Sequence, residues 1–187
     1  MILRKYIKTF YTDRQTSWEQ SQLTYVPMDE ELNRDRGNFL ERYKLSVKAS
    51  AAAFLRELDE AIESRSLYTN DEGEPNRVHF DRHLYLPLIA EEDRFDEQDV
   101  KYSPPPLNRG EIRLVRNLKS YFESGEGQAV RDSWKVYLLR NQSRGLGVGL
   151  LSDGRRFFPD FIMWLQSDES QHIVFLEPHG MVREGEP

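Results

Sequence analysis

Cysteine is absent from the chain. Disulfides, thiol catalysis and Cys-ligated zinc are excluded with it, and the absence accords with a cytoplasmic protein. No apolar run approaches the roughly 20 residues of a membrane-spanning helix. The N-terminus, Met-Ile-Leu-Arg-Lys-Tyr-Ile-Lys, lacks an apolar segment of signal-peptide length. No G-x-x-x-x-G-K-S/T segment occurs, so the chain carries no P-loop ATPase of its own. Gly145-Leu146-Gly147-Val148-Gly149 has neither the spacing nor the following helix of a dinucleotide loop. An excess of basic residues is missing too: 26 Lys and Arg face 32 Asp and Glu, a net charge of −6. That balance counts against a broad nucleic-acid-coating surface, yet leaves room for a local basic groove.

What remains is a polar, soluble-type chain of 187 residues, 38% hydrophobic and 31% charged. It is long enough for one core with a small helical annex. Residues 1–26 carry Tyr6, Ile7, Phe10, Tyr11, Trp18 and Tyr25 without a clean period; their aromatic content predicts packing onto the domain or a partner. From Asn38 to Ser64, Phe39, Tyr43, Val47, Phe54, Leu58 and Ile62 recur at helical steps around an alanine run, which predicts one long amphipathic helix. Residues 69–76 read as a polar loop. His79 and His83 share the i,i+4 spacing of zinc ligands, but no Glu follows His79, and Pro75 and Pro87 leave little room for a helix. Leu84–Ile89 reads as an edge strand or an extended packing segment and Glu91–Asp99 as a solvated acidic segment. Ser103-Pro104-Pro105-Pro106 marks an extended boundary, dividing a helical or irregular N-terminal portion, 1–107, from a core, 108–187.

Within that core a helix is expected from Asn108 to about Glu123. Leu114, Val115, Leu118, Tyr121 and Phe122 share one side, and Glu111 falls with them rather than with Arg109, Arg113 and Arg116. Glu111 admits two readings: the partner of Asn108 in a capping box, or an acid turned toward a site. Ser124–Gly127 reads as a loop and Trp134–Leu139 as a strand. Val148–Leu151 reads as a strand turning through Asp153-Gly154 into a further strand, 155–165.

The most informative stretch is Phe157–Gly180. Two apolar runs, Phe161–Leu165 and Ile173–Leu176, flank Ser167-Asp168-Glu169-Ser170; this is the pattern of a β-hairpin. Neither run alternates cleanly, which predicts strands covered on both faces. A turn centred between Asp168 and Glu169 places residue 160 opposite residue 177. Directly opposed residues have Cβ atoms about 5 Å apart, so Asp160 and Glu177 meet at the open end. His179, two residues on, shares the face of Glu177. Two carboxylates that close repel unless a cation lies between them. Hard oxygen ligands in a partly open site suit Mg²⁺ or Mn²⁺ rather than zinc. The plain alternative is a strand end with solvated carboxylates.

Pro159-Asp160 followed by Glu177-Pro178-His179 at the end of the next apolar strand resembles the PD-(D/E)XK nuclease superfamily. Phe-Pro-Asp-Phe-Ile-Met-Trp-Leu, Ile-Val-Phe-Leu-Glu-Pro-His-Gly, the Leu-Arg-Asn segment and the Gly-Val-Gly step look like the endonuclease-like domain beside type III restriction and DEAD/DEAH-type helicase regions. The resemblance is strong over 108–180 and weaker over 1–107. It implies an α/β fold with a restriction-endonuclease-like mixed sheet flanked by helices, acting on DNA as a metal-dependent endonuclease. Glu111, Asp160 and Glu177 would be the ligands, and His179 would orient water or phosphate. A helicase/ATPase or restriction-modification subunit is the implied partner. Arg140, Arg144, Arg155 and Arg156 are candidate phosphate contacts or, equally, solvated loop charges.

Two departures stand out. His179 replaces the usual Lys, and its charge varies near neutral pH. The chain also ends soon after Met181, so the helix and strand that normally follow are absent or reduced. The sheet is then incomplete at one edge or completed by another chain. A non-catalytic module of the same fold, binding nucleic acid or docking a helicase, is the rival reading, and a fragment of a larger defence enzyme is a third.

Overall fold

The computed structural model describes residues 10–11, 14–15, 17–18, 21, 42–71, 73, 75–83, 87–90, 99–142, 147–152 and 155–178. These form a mixed α/β protein with small antiparallel sheets and three bounded α-helices. No helix among them is long and apolar enough to cross a membrane. The chain makes two compact units: residues 1–39 with 141–159, and residues 40–140 with 160–187. The 107/108 division falls inside the second.

In the first unit, Phe10, Tyr11 and Trp18 are exposed. Asn141 organises the other segment. Its side-chain amide donates to the carbonyls of Val148 (2.8 Å) and Pro159 (2.9 Å), and its oxygen accepts from the Val148 N–H (2.8 Å). Gly147 is required there, because a Cβ would lie 1.8 Å from the Gln142 carbonyl. The hairpin expected around Asp153-Gly154 is present: β6 (Leu150–Ser152) pairs with β7 (Arg155–Phe157), Ser152 opposite Arg155. The single strand expected over 155–165 is instead interrupted at 158–160. Pro159 has no N–H to continue a ladder.

In the second unit, the long helix expected from Asn38 is corrected. Among the described residues of that span, a 3₁₀ turn (Ala49–Ala51) and α1 (Ala52–Glu63) are helical; Lys44–Val47 is a strand, β1, antiparallel to β4 (Val100–Ser103). A ladder to a distant strand satisfies the backbone as fully as a helix does, and Leu45 and Val47 pack with Phe54, Ala51 and Val100. Residues 38–41 lie outside the described residues, as do 84–86 and 91–98. β2 (Arg77–Val78) pairs with β3 (Leu88–Ile89). Buried Arg77 donates to the carbonyls of Ser66, Asn70 and Pro75, tying down the polar loop before it.

α2 (Arg109–Glu123) has the bounds its sequence predicts, with a complete capping box between Asn108 and Glu111. Ser124–Gly127, expected as a loop, is corrected: it begins α3 (Gly125–Ser133), with the Ser124 hydroxyl accepting from the Gly127 N–H. Gly127 lets this helix start directly against the end of α2.

The central sheet has the order β5 (Lys135–Arg140), β8 (Phe161–Gln166), β9 (Gln171–Leu176), all antiparallel. His83 adds a parallel bridge to Leu138 of β5. One face, bearing Val136, Leu138, Phe161, Met163, Val174 and Leu176, shares a core with Val115 and Phe122 of α2. β8 is buried on both faces, as expected. β9 is not: Gln171, His172, Ile173 and Phe175 are exposed, because it has a neighbouring strand on one side only among the described residues.

Candidate functional site

The β8–β9 hairpin has the register its sequence predicts. Phe161 lies opposite Leu176 and Gln166 opposite Gln171. The turn is closed by the Ser167 N–H bonded to the Ser170 carbonyl (2.9 Å), and the Ser167 hydroxyl accepts from the Ser170 N–H (3.1 Å). One step beyond the last ladder pair, Asp160 and Glu177 occupy opposite positions, both half-buried.

On the other side of β8, Arg140 is opposite Phe161. The end of β5, the start of β8 and the end of β9 therefore lie at one end of the sheet. The N-terminus of α2 reaches the same end. The Glu111 carboxylate accepts from the Asn108 N–H (2.8 Å), completing the cap, and lies 3.6 Å from the Arg140 guanidinium. Both side chains are nearly buried, 8% and 11% exposed. Arg140 also donates to the carbonyls of Pro105 (2.7 Å) and Pro106 (3.2 Å). Its backbone N–H donates to His83 Nε2 at 3.1 Å, so that nitrogen carries no proton. Arg140 is thus a bridge between helix, proline segment and strand, and its guanidinium is taken up by the fold rather than presented as a surface phosphate contact.

The pleat separates two pairs at this end. Arg140, Phe161 and Leu176 follow the core-facing alternation of β5, β8 and β9. Positions 160 and 177, one residue out of phase, fall to the opposite face if the alternation continues. Glu111 is brought to Arg140, and Asp160 is brought by register to Glu177. Among the described residues, no group of three or more His, Cys, Asp or Glu is disposed to hold a metal ion. The carboxylates at 160 and 177 are nonetheless the right donor type for a hard divalent cation, with further ligands left to water or substrate.

His179 and Arg144 lie outside the described residues. Arg155 and Arg156 are on β7, opposite Ser152 and Leu151. His79 and His83, set aside as zinc ligands, have other work. The His79 ring nitrogens lie 2.8 Å from the Asp71 carboxylate and 3.0 Å from the Leu67 carbonyl. Two groups were not singled out by the sequence: the Asn141 clamp that ends on Pro159, and the Asp71–Lys119 pair at 2.6 Å. The Leu-Arg-Asn segment was the available signal for the first, while the second joins residues too distant in sequence to signal each other. No protein-family model, curated protein or solved structure matches this chain.

Proposed function

We propose that the chain is a metal-dependent endonuclease domain of restriction-endonuclease-like type, hydrolysing DNA phosphodiester bonds at the sheet end that bears Asp160 and Glu177. The observation that carries the reading is the hairpin register, in which the last pair, Phe161–Leu176, leads to Asp160 opposite Glu177. Asp160 and Glu177 would hold Mg²⁺ or Mn²⁺ between them, and His179 would orient water or a phosphate oxygen. A bound ion of this kind supplies an activated water and stabilises charge developing on the phosphate. Glu111, paired to Arg140, enters as a positioning residue: it fixes the end of β5 beside the start of β8. DNA, and a helicase/ATPase or restriction-modification subunit, are the proposed partners.

One observation favours a second reading. The Glu111 carboxylate is engaged by an arginine and a helix cap, as suits a nuclease-fold module that binds nucleic acid or docks a helicase without cutting. Cleavage of supercoiled plasmid and single-stranded DNA in Mg²⁺ or Mn²⁺ separates the two. Activity lost in Asp160→Ala, in Glu177→Ala and in EDTA supports the nuclease. Folded wild-type protein that cuts neither substrate in either metal supports the module. Cleavage that survives both substitutions rejects this site.

A further inference from the structure

Among the described residues β9 is the outer strand of the three-stranded sheet, and two of its apolar side chains are exposed: Ile173 by 45% and Phe175 by 38%. Strand edges that remain single in water are ordinarily blunted by lysine, proline or a bulge. Gln171-His172-Ile173-Val174-Phe175-Leu176 has no lysine, proline or glycine and no carboxylate, and its register with β8 runs without a bulge. Nothing in the strand itself discourages another strand from joining it.

We infer that β9 pairs antiparallel with β9 of a second copy of this chain, about a two-fold axis at Val174. The strand is self-complementary about that residue. Ile173 and Phe175 stand symmetrically on either side of it and share one face, so each Ile173 lies opposite the other copy's Phe175. The two exposed apolar side chains thus cover each other twice, as aromatic–β-branched cross-strand pairs. The same register sets His172 opposite Leu176 and Gln171 opposite position 177, a Glu. No like charges oppose one another over these positions. An acidic chain, net −6, is repelled by its own copy over most of its surface; a neutral strand is where that repulsion is least. Such an isologous contact closes on itself and joins two three-stranded sheets into one continuous sheet, with the α2 helices on the same face. This inference is independent of the proposed nuclease activity.

Sedimentation equilibrium of the full chain tests it, with Ile173→Lys, Phe175→Glu and the double variant Ile173→Lys/Phe175→Glu, each first checked for an unchanged far-UV circular dichroism spectrum. Wild type is expected to show a concentration-dependent dimer. Each single variant should weaken it by about tenfold or more, since either change spoils both cross-strand pairs. The double variant should recover association, because every Lys then faces a Glu, and that recovered contact should weaken with added salt. A wild type monomeric at all concentrations overturns the proposal. So does a dimer indifferent to the single changes, or a double variant no tighter than the singles, which would rule out this register.

Discussion

Arg140 holds Glu111 at 3.6 Å in a nearly dry setting, and the same guanidinium caps the carbonyls of Pro105 and Pro106. Removing one member of a buried pair leaves the other as an uncompensated charge. Arg140→Met is therefore expected to cost about 3–5 kcal/mol in urea denaturation. Glu111→Gln keeps an oxygen for the Asn108 N–H and leaves Arg140 the Pro105 and Pro106 carbonyls, so it should cost less, about 1–3 kcal/mol. Equal costs would show that the helix cap and the ion pair are not separable.

Gly125 and Gly127 lie two residues apart in α3 and should respond in opposite directions. A Cβ at Gly127 would sit 1.9 Å from the Tyr121 carbonyl and 2.6 Å from Phe122 Cα, both backbone atoms. Gly127→Ala must push α3 off the end of α2, at about 1–3 kcal/mol or more. Gly125 has nothing within 4 Å, and Gly125→Ala should stabilise by about 0.4–1 kcal/mol through the unfolded chain. Thermal melts of the two variants check the contrast.

Asp71 provides the pH dependence. Burial, the largest single influence, pushes its carboxyl up, but hydrogen bonds from Lys119 and from the His79 side chain and backbone outweigh it and hold the group below its ordinary 3.8. A group lowered on folding contributes stability above its unfolded value and loses it as pH falls through the folded value. Wild type should therefore exceed Asp71→Asn in urea midpoint near neutral pH. The gap should close below about pH 4, and a gap unchanged down to strongly acid pH would remove Asp71 as its source.

If Asp160 and Glu177 hold a divalent ion, ligand binding to the folded state alone raises its melting temperature. Mg²⁺ or Mn²⁺ is expected to raise that of wild type relative to EDTA, and to do so less for Asp160→Asn or Glu177→Gln. An equal rise in all three proteins would assign the ion to another place.

Short-range signals were legible. The hairpin register follows from a four-residue polar turn between two apolar runs, and the bounds of α2 follow from Asn108 and Glu111 at capping-box spacing. In both, the partners are close in sequence; for Glu111 the cap was one of two readings, and the structure shows it made. The start of α3 misled because two glycines at 125 and 127 read as a loop. The use of Gly127 is the close approach to Tyr121 and Phe122, a tertiary fact.

By itself, then, the sequence determined the facing of Asp160 and Glu177, the absence of thiol and P-loop chemistry, and the helix that carries Glu111. Only the tertiary structure decided that Lys44–Val47 is a strand, that β9 has a strand neighbour on one side only among the described residues, and that Arg140 is bound inward by Glu111 and the prolines. The reason is physical. Local periodicity and capping act between neighbours in the chain, whereas a ladder partner, a covering layer or a buried counter-ion comes from far along it, and burial then outweighs local preference.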